Sequence, residues 1–209
     1  MIYRTPFFIP WIYPSLVWRM PSANKELYLT FDDGPVPGAT EFVLHTLDRL
    51  KAKATFFCIG DNIRKHPDIF QKILADGHAV GNHTFNHLNG WKNKTDHYLE
   101  NTRLCDEEIM KQAPHHNGAL FRPPYGRITA QQIKALNGRK IVMWDVLSRD
   151  YSPAVAPHVC LLNTVNTTRP GSIIVFHDSY KAERNMAFTL PRFIEHFSER
   201  GYVFKSLPG

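Results

Sequence analysis

Cysteine is scarce in this chain of 209 residues. Cys58, Cys105 and Cys160 are odd in number, far apart, and form no C-x-x-C pair. That pattern excludes a disulfide framework and a structural zinc knuckle, so three reduced, mostly buried thiols are expected. Both phosphate-loop patterns, G-x-G-x-x-G and G-x-x-x-x-G-K, are also missing, which counts against a nucleotide-binding open sheet. No low-complexity linker or internal repeat divides the chain, and its length suits a single domain. No apolar run is long enough to span a bilayer. The segment Phe7–Trp18 (FFIPWIYPSLVW) is interrupted by Pro10 and Pro14, with no basic cluster before it and no clean small-residue cleavage site after it. It reads as an aromatic, Pro-kinked arm over residues 1–26 packed on a domain spanning 27–209. A degenerate export or membrane-surface segment is the alternative. A cytoplasmic location is therefore favoured over an envelope-associated one, and a monomer is expected. Charge of one sign is also in short supply. Lys and Arg number 25 against 19 Asp and Glu, a balance of +6 without a basic cluster. This describes a solvated surface rather than a nucleic-acid footprint, though it is compatible with an anionic polymer as substrate.

Apolar residues, by contrast, are ample: 43% of the chain is hydrophobic and 12% aromatic, spread along its whole length, which excludes disorder. Short apolar runs occur at Leu27–Phe31, Ala54–Ile59, Ala79–Gly81, Leu120–Phe121, Ile141–Trp144, Ser172–Phe176 and Tyr202–Phe204. Helical periodicity fills the intervals. It places Phe42, Val43, Leu47 and Leu50 on one face of Thr40–Leu50, and Ile69, Ile73 and Leu74 on one face of Pro67–Ala75. Asp96–Lys111, Thr129–Leu136, His158–Thr167 and Ala187–Arg200 are further helix candidates, and Gly77, Gly138 and Gly201 sit where helix C-caps would fall. Alternating strands and helices imply a parallel α/β sheet with right-handed crossovers. Seven strands in one domain fit an irregular (β/α) barrel or an open doubly wound sheet.

Ligands collect at the C-terminal ends of the strands in such folds. Polar clusters follow five of the seven expected strands there: Asp32-Asp33-Gly34-Pro35, Asn82 to His87, Arg122 to Gly126, Trp144-Asp145 leading to Asp150, and His177-Asp178. Alone, Asp32-Asp33 reads as a solvated Asx-turn. His83 and His87, spaced i, i+4, can face one point if the segment makes a helical turn. With one Asp they form a two-His, one-carboxylate set, the open arrangement of a catalytic zinc site and equally of a non-haem iron oxygenase. A second carboxylate beside the set, and no oxidation partner, favour hydrolysis. His177, after the most apolar strand, is either functional or a structural histidine capped by Asp178. The other eight of the 11 histidines are assigned no role.

These residues resemble the polysaccharide deacetylases, the carbohydrate esterase family 4 or NodB-homology group, from about Leu27 to the C-terminus. TFDDGP at Thr30–Pro35, HTFNH at His83–His87 and RPPYG at Arg122–Gly126 match the family's first three motifs in order, and Ile173–His177 corresponds to the fifth. The fourth, usually D-x-x-D-W, keeps only Asp150, with Leu147 and Tyr151 replacing its first Asp and its Trp; this bears on substrate preference, because that motif lines the groove wall. The resemblance implies a distorted (β/α) barrel, commonly seven-stranded. It implies that Asp33, His83 and His87 hold one divalent metal, zinc first, with cobalt, nickel or manganese as alternatives. By the same resemblance Asp32 is the general base, Arg122 keeps it ionised, the Tyr125 amide shares the oxyanion with the metal, and His177 is the general acid. Asp150 pairs with Arg122 or His177, while Pro123, Tyr125, Trp144 and Tyr151 line the substrate groove. The implied reaction is removal of acetyl groups from N-acetylglucosamine glycans of peptidoglycan or chitin type. An O-acetyl xylan esterase, a small-amide hydrolase and an inactive carbohydrate-binding barrel are the alternatives.

Overall fold

The computed structural model describes residues 3–21, 24–116 and 118–209. Eight strands form: β1 (Glu26–Asp32), β2 (Ala54–Cys58), β3 (Ala79–Asn82), β4 (Leu120–Phe121), β5 (Lys140–Ile141), β6 (Val146–Leu147), β7 (Ile173–His177) and β8 (Val203–Phe204). Their ladders are all parallel, in the order β5-β4-β3-β2-β1-β7-β6, with β8 pairing onto the start of β1. β1, β2 and β7 are buried almost end to end: one face packs against helices, and the other faces an inner cluster that includes Tyr28, Phe57, Leu120, Val142 and Ile173. The covering helices are α2 (Ala39–Arg49), α3 (Gly60–Lys65), α4 (Pro67–Ala75), α5 (Thr95–Gln112), α6 (Ala130–Ala135), α7 (Pro157–Thr167) and α8 (Glu183–Ser198), preceded by a single-turn α1 (Ile9–Ile12) in the arm. Phe31, Phe56 and Phe176 stack across β1, β2 and β7 at the centre of the main core.

The path is a distorted barrel left open between β5 and β6. The expected strand Ile141–Trp144 stops at Ile141, and β6 supplies a strand that no apolar run announced. Two residues long, β6 owes its conformation to its ladder with β7, where Val146 pairs with Ile174 and Leu147 with Val175. Residues of the N-terminal segment bridge the opening. Arg4 pairs with Val146, Val17 with Val142 and Arg19 with Ser172. The Val17 N–H donates to Ile141 O at 2.9 Å, and the Leu147 N–H to Tyr3 O at 2.8 Å. The strand edges facing the gap thus find backbone partners instead of remaining exposed. Of the arm expected over 1–26, residues 1, 2, 22 and 23 lie outside the described residues.

Helix faces depart from expectation in detail. On α2, Val43, Leu44 and Leu47 are buried and Phe42 points outward; on α4, Phe70 is buried beside Ile69 and Ile73. Gly77, Gly138 and Gly201 all take left-handed backbone at the ends of α4, α6 and α8. The three cysteines are free and buried. Among the described residues no helix is long and apolar enough to cross a membrane.

Candidate active site

Strand register builds the site. In the β1–β7 ladder Asp32 is the direct partner of His177, so the two side chains leave adjacent parallel strands at the same level. Asp32 is almost fully buried beside Arg122, whose guanidinium is completely enclosed. Arg122 Nη1 donates to Asp32 Oδ1 and to Thr30 Oγ1, both at 2.7 Å; Nε reaches Val142 O at 3.2 Å and Nη2 reaches Met143 O at 2.9 Å. The guanidinium also lies 4.1 Å over the Phe57 ring. Burial would raise the Asp32 pKa, but the charge of Arg122, supported by His83 and His177 and by the Arg122 hydrogen bond, outweighs it and holds the carboxyl below its ordinary value.

Asp33 leaves β1 in a left-handed conformation, φ 84°. The turn is fixed from beneath by Asp178, which accepts the Gly34 N–H at 3.0 Å and the Thr40 hydroxyl at 2.7 Å. A Cβ on Gly34 would sit 1.9 Å from Asp178 Oδ2, so only glycine fits. Burial, only partly offset by the Thr40 hydrogen bond, pushes the Asp178 carboxyl up to about 8. Asp178 therefore anchors the first motif and does not cap His177.

His83 and His87 converge, with ring centroids 5.1 Å apart, although no helical turn carries them. The segment is a loop in which Thr84 and His87 take positive φ (62° and 58°). Side chains clamp it. Asn82 Oδ1 accepts the Thr84 N–H, and Asn101 Oδ1 on α5 accepts from the Phe85 and Asn86 amides. Asp33, Thr84, His87 and Tyr125 are four of the six non-glycine residues at positive φ among the described residues, a concentration of backbone strain at one place.

The ring tautomers follow from the partners. His83 Nδ1 meets the Arg122 carbonyl at 2.8 Å, so it carries the proton and leaves Nε2 bare. His87 Nδ1 lies 3.0 Å from the Tyr125 hydroxyl, and burial, reinforced by the neighbouring His83, lowers its pKa to about 4. Asp33 Oδ1 lies 3.8 Å from His83 Nε2 and 3.2 Å from His87 Nε2, and it is buried without a hydrogen-bond partner. Ligand atoms of Asp33, His83 and His87 all fall within 4.8 Å of one another. Two imidazole nitrogens and a buried carboxylate oxygen without a hydrogen-bond partner, converging on one point, are a donor set that a divalent cation takes. The residues therefore fit a divalent metal.

Asp150 pairs with His177 and not with Arg122. Asp150 Oδ1 meets His177 Nδ1 at 2.7 Å, and Oδ2 accepts the His177 backbone N–H at 2.8 Å. Burial opposes charge on the ring, but Asp150's charge and hydrogen bond override it and raise the pKa to about 9. The Nε2 edge is left to the cavity, a groove of about 500 Å³ lined by both carboxylates, the three histidines, Tyr125, Trp144, Leu147 and Tyr151. Pro123, expected on its wall, is buried and shapes the turn by accepting the Gly126 N–H. Asp145 turns away from the mouth, held by Ser172 and Arg169.

Three features escaped sequence reasoning: the Asp178 anchor, the Asn101 clamp, and two cations on the cavity wall. Those cations are Arg127, over the Trp91 ring, and Lys181, over Tyr151. Asp178 was adjacent to a singled-out residue, whereas Asn101 lies on a helix with no local signal.

A parallel (β/α) barrel whose mouth gathers an Asp-His-His cluster beside a second carboxylate and a histidine has the parts of a metal-assisted hydrolase. The family model for polysaccharide deacetylase matches residues 19–143, and the chain belongs to that family. It is 34% identical to a peptidoglycan-N-acetylglucosamine deacetylase of Bacillus cereus over 191 residues, covering 90% of this chain and 69% of that protein. A chitooligosaccharide deacetylase of Azorhizobium caulinodans is 36% identical over 167 residues, 77% of each chain. Among solved structures, the Bc1960 peptidoglycan N-acetylglucosamine deacetylase, in complex with 4-naphthalen-1-yl-N-oxidanyl-benzamide, superposes with a TM-score of 0.89. It is 31% identical, with 98% of this chain and 95% of that one covered.

Proposed function

We propose that the chain is a metal-dependent N-deacetylase of N-acetylglucosamine glycans, of peptidoglycan or chitin type, with water as nucleophile. The observation that carries this reading is the opposite protonation preference of Asp32 and His177, neighbours on adjacent strands beside the Asp33-His83-His87 cluster. Asp33, His83 and His87 would hold the ion, which supplies Lewis-acid polarisation of the acetyl carbonyl and activates water near neutral pH. Asp32, kept ionised by Arg122, takes a proton from the attacking water as the new C–O bond forms. The Tyr125 amide, on its left-handed turn, donates to the oxygen that gains charge, a contact whose loss typically costs about 2.7–4 kcal/mol of barrier. His177 begins as imidazolium, held so by Asp150, and passes its Nε2 proton to the sugar nitrogen as the C–N bond breaks. The products are acetate and a free amine. An amine leaves poorly unless protonated, so a raised His177 pKa serves amide cleavage.

Names of the similar proteins, peptidoglycan N-acetylglucosamine and chitooligosaccharide deacetylases, support the same substrate class. The test is acetate release across a panel of chitooligosaccharide, peptidoglycan fragments and acetylated xylan. Release from the N-acetylated substrates above that from xylan is expected. Release from xylan alone would assign the site to ester cleavage.

A further inference from the structure

A second surface, away from the catalytic cluster, is left uncovered by the described residues. The single-turn helix α1 has no buried residue. Phe7 and Trp11 are 76% and 77% exposed, and Phe8, Ile12 and Tyr13 beside them are also exposed. Phe7 packs edge-on against both Phe8 and Trp11, with centroids 5.8 Å apart, so these side chains form one convex knob. Soluble domains seldom leave a contiguous apolar group of this kind uncovered.

The knob's charge surroundings indicate what covers it. Residues 1–25 contain Arg4, Arg19 and Lys25 and no Asp or Glu. Phe7, Pro10 and Pro14 border a cavity of about 690 Å³ whose far side reaches Leu120, Val142 and Leu207, and Arg19, Lys140 and Arg169 line it as well. Among the described lining residues the one acidic side chain, Asp145, is buried and already bound by Arg4, Arg169 and Ser172, while Lys140 Nζ donates to Pro208 O and Gly209 O. Apolar and aromatic side chains at the tip, Trp and Tyr among them, with cations beside them and the Asp145 carboxylate already paired, match the layering of a membrane interface: apolar groups at the acyl boundary, aromatic rings at headgroup depth, cations against phosphates. A protein–protein interface instead centres on a patch depleted in charge and closely matched in shape.

We propose that this knob docks the protein on an anionic lipid surface. Phe7, Phe8, Trp11 and Ile12 enter the headgroup–acyl boundary, while Arg19 and Lys140 face lipid phosphates. The arm also lies beside the catalytic groove: Ile9 and Trp18 share a cavity with Tyr125 and Trp144. Docking therefore holds the Trp144 wall of the groove near the bilayer.

The test is co-sedimentation of the full chain with vesicles of phosphatidylcholine containing about 30% phosphatidylglycerol, and with phosphatidylcholine alone, at low and high salt. Binding to the anionic vesicles is expected, weakened by salt and by omitting phosphatidylglycerol. The double variant F7S/W11S should lose at least about tenfold in partitioning while its thermal melt stays unchanged, because both side chains are exposed. R19Q/K140Q should bind more weakly and with a flatter salt dependence. Wild-type protein that stays in the supernatant overturns the proposal, as does F7S/W11S binding as well as wild type. So does a wild-type oligomer, present without vesicles, that F7S/W11S dissolves; the knob would then be a self-association surface.

Discussion

Replacing Asp150 by Asn removes the carboxylate that keeps the proton on His177. Two short contacts join the residues, Asp150 Oδ1 to His177 Nδ1 at 2.7 Å and Oδ2 to the His177 amide at 2.8 Å. Burial alone drives an imidazole towards its neutral form, and this pairing reverses that tendency, taking the ring from an ordinary 6.5 to about 9. In the variant only the smaller contributions of the Asp33 and Asp32 charges still oppose burial, so the pKa falls towards its ordinary value. At about pH 7.5 a group with a pKa near 9 is roughly 97% protonated, and one at 6.5 roughly 10%. Acetate release at that pH should therefore fall at least about tenfold, and the alkaline limb of the kcat–pH profile should move from near 9 to below about 7. Stability carries the same sign. A raised folded-state pKa contributes in full below about 6.5 and is lost as pH rises through about 9, so wild type should lose melting temperature across that window and the Asn variant should lose less. A pH–rate titration of both proteins, with melting curves at the same pH values, makes the measurement. An alkaline limb that stays near 9 in the Asn variant would refute the assignment of the transferred proton to His177.

Asp32→Asn should lower acetate release by about 10²–10⁴-fold while metal content per chain, measured by elemental analysis, is unchanged, because Asp33 and not Asp32 contributes to the ligand cluster. Tyr125→Phe removes the hydroxyl that orients His87 and should weaken metal binding about 10–100-fold in a competition titration against a chelator, with little change in melting temperature, since Tyr125 is mostly exposed. Gly34→Ala forces a methyl group onto Asp178 and should cost about 1–3 kcal/mol of stability in denaturant unfolding, with acetate release falling as the Asp33 turn shifts.

The parts of the fold written in local pattern were legible in the sequence. β1, β2 and β7 are built on short, mostly apolar runs that read as buried strands, and the polar residues at and just beyond their ends define the mouth. β6 was not legible, because two residues held by a ladder to β7 leave no periodicity to read. The i, i+4 spacing of His83 and His87 correctly indicated convergence but suggested a helical turn. Their actual loop depends on left-handed backbone at Thr84 and His87, stabilised by Asn101 from a distant helix. Asp150's partner could not be read from sequence either, since it turns on which donors Arg122 has left. Thr30, Asp32, Val142 and Met143 already engage the guanidinium, and Asp150 goes to His177. Asp145, one residue past Trp144, shares its strand-end position but faces Arg169 and Ser172, a direction set by tertiary pairing.

Metal dependence at the Asp33-His83-His87 cluster is tested most directly by stripping the purified protein with a chelator and measuring acetate release from a chitooligosaccharide before stripping, after it, and after adding back Zn²⁺. Release with one free amine formed per acetate, abolished by stripping and restored by the ion, is the predicted result. Release that persists in the stripped protein, with metal analysis confirming its removal, would contradict the account.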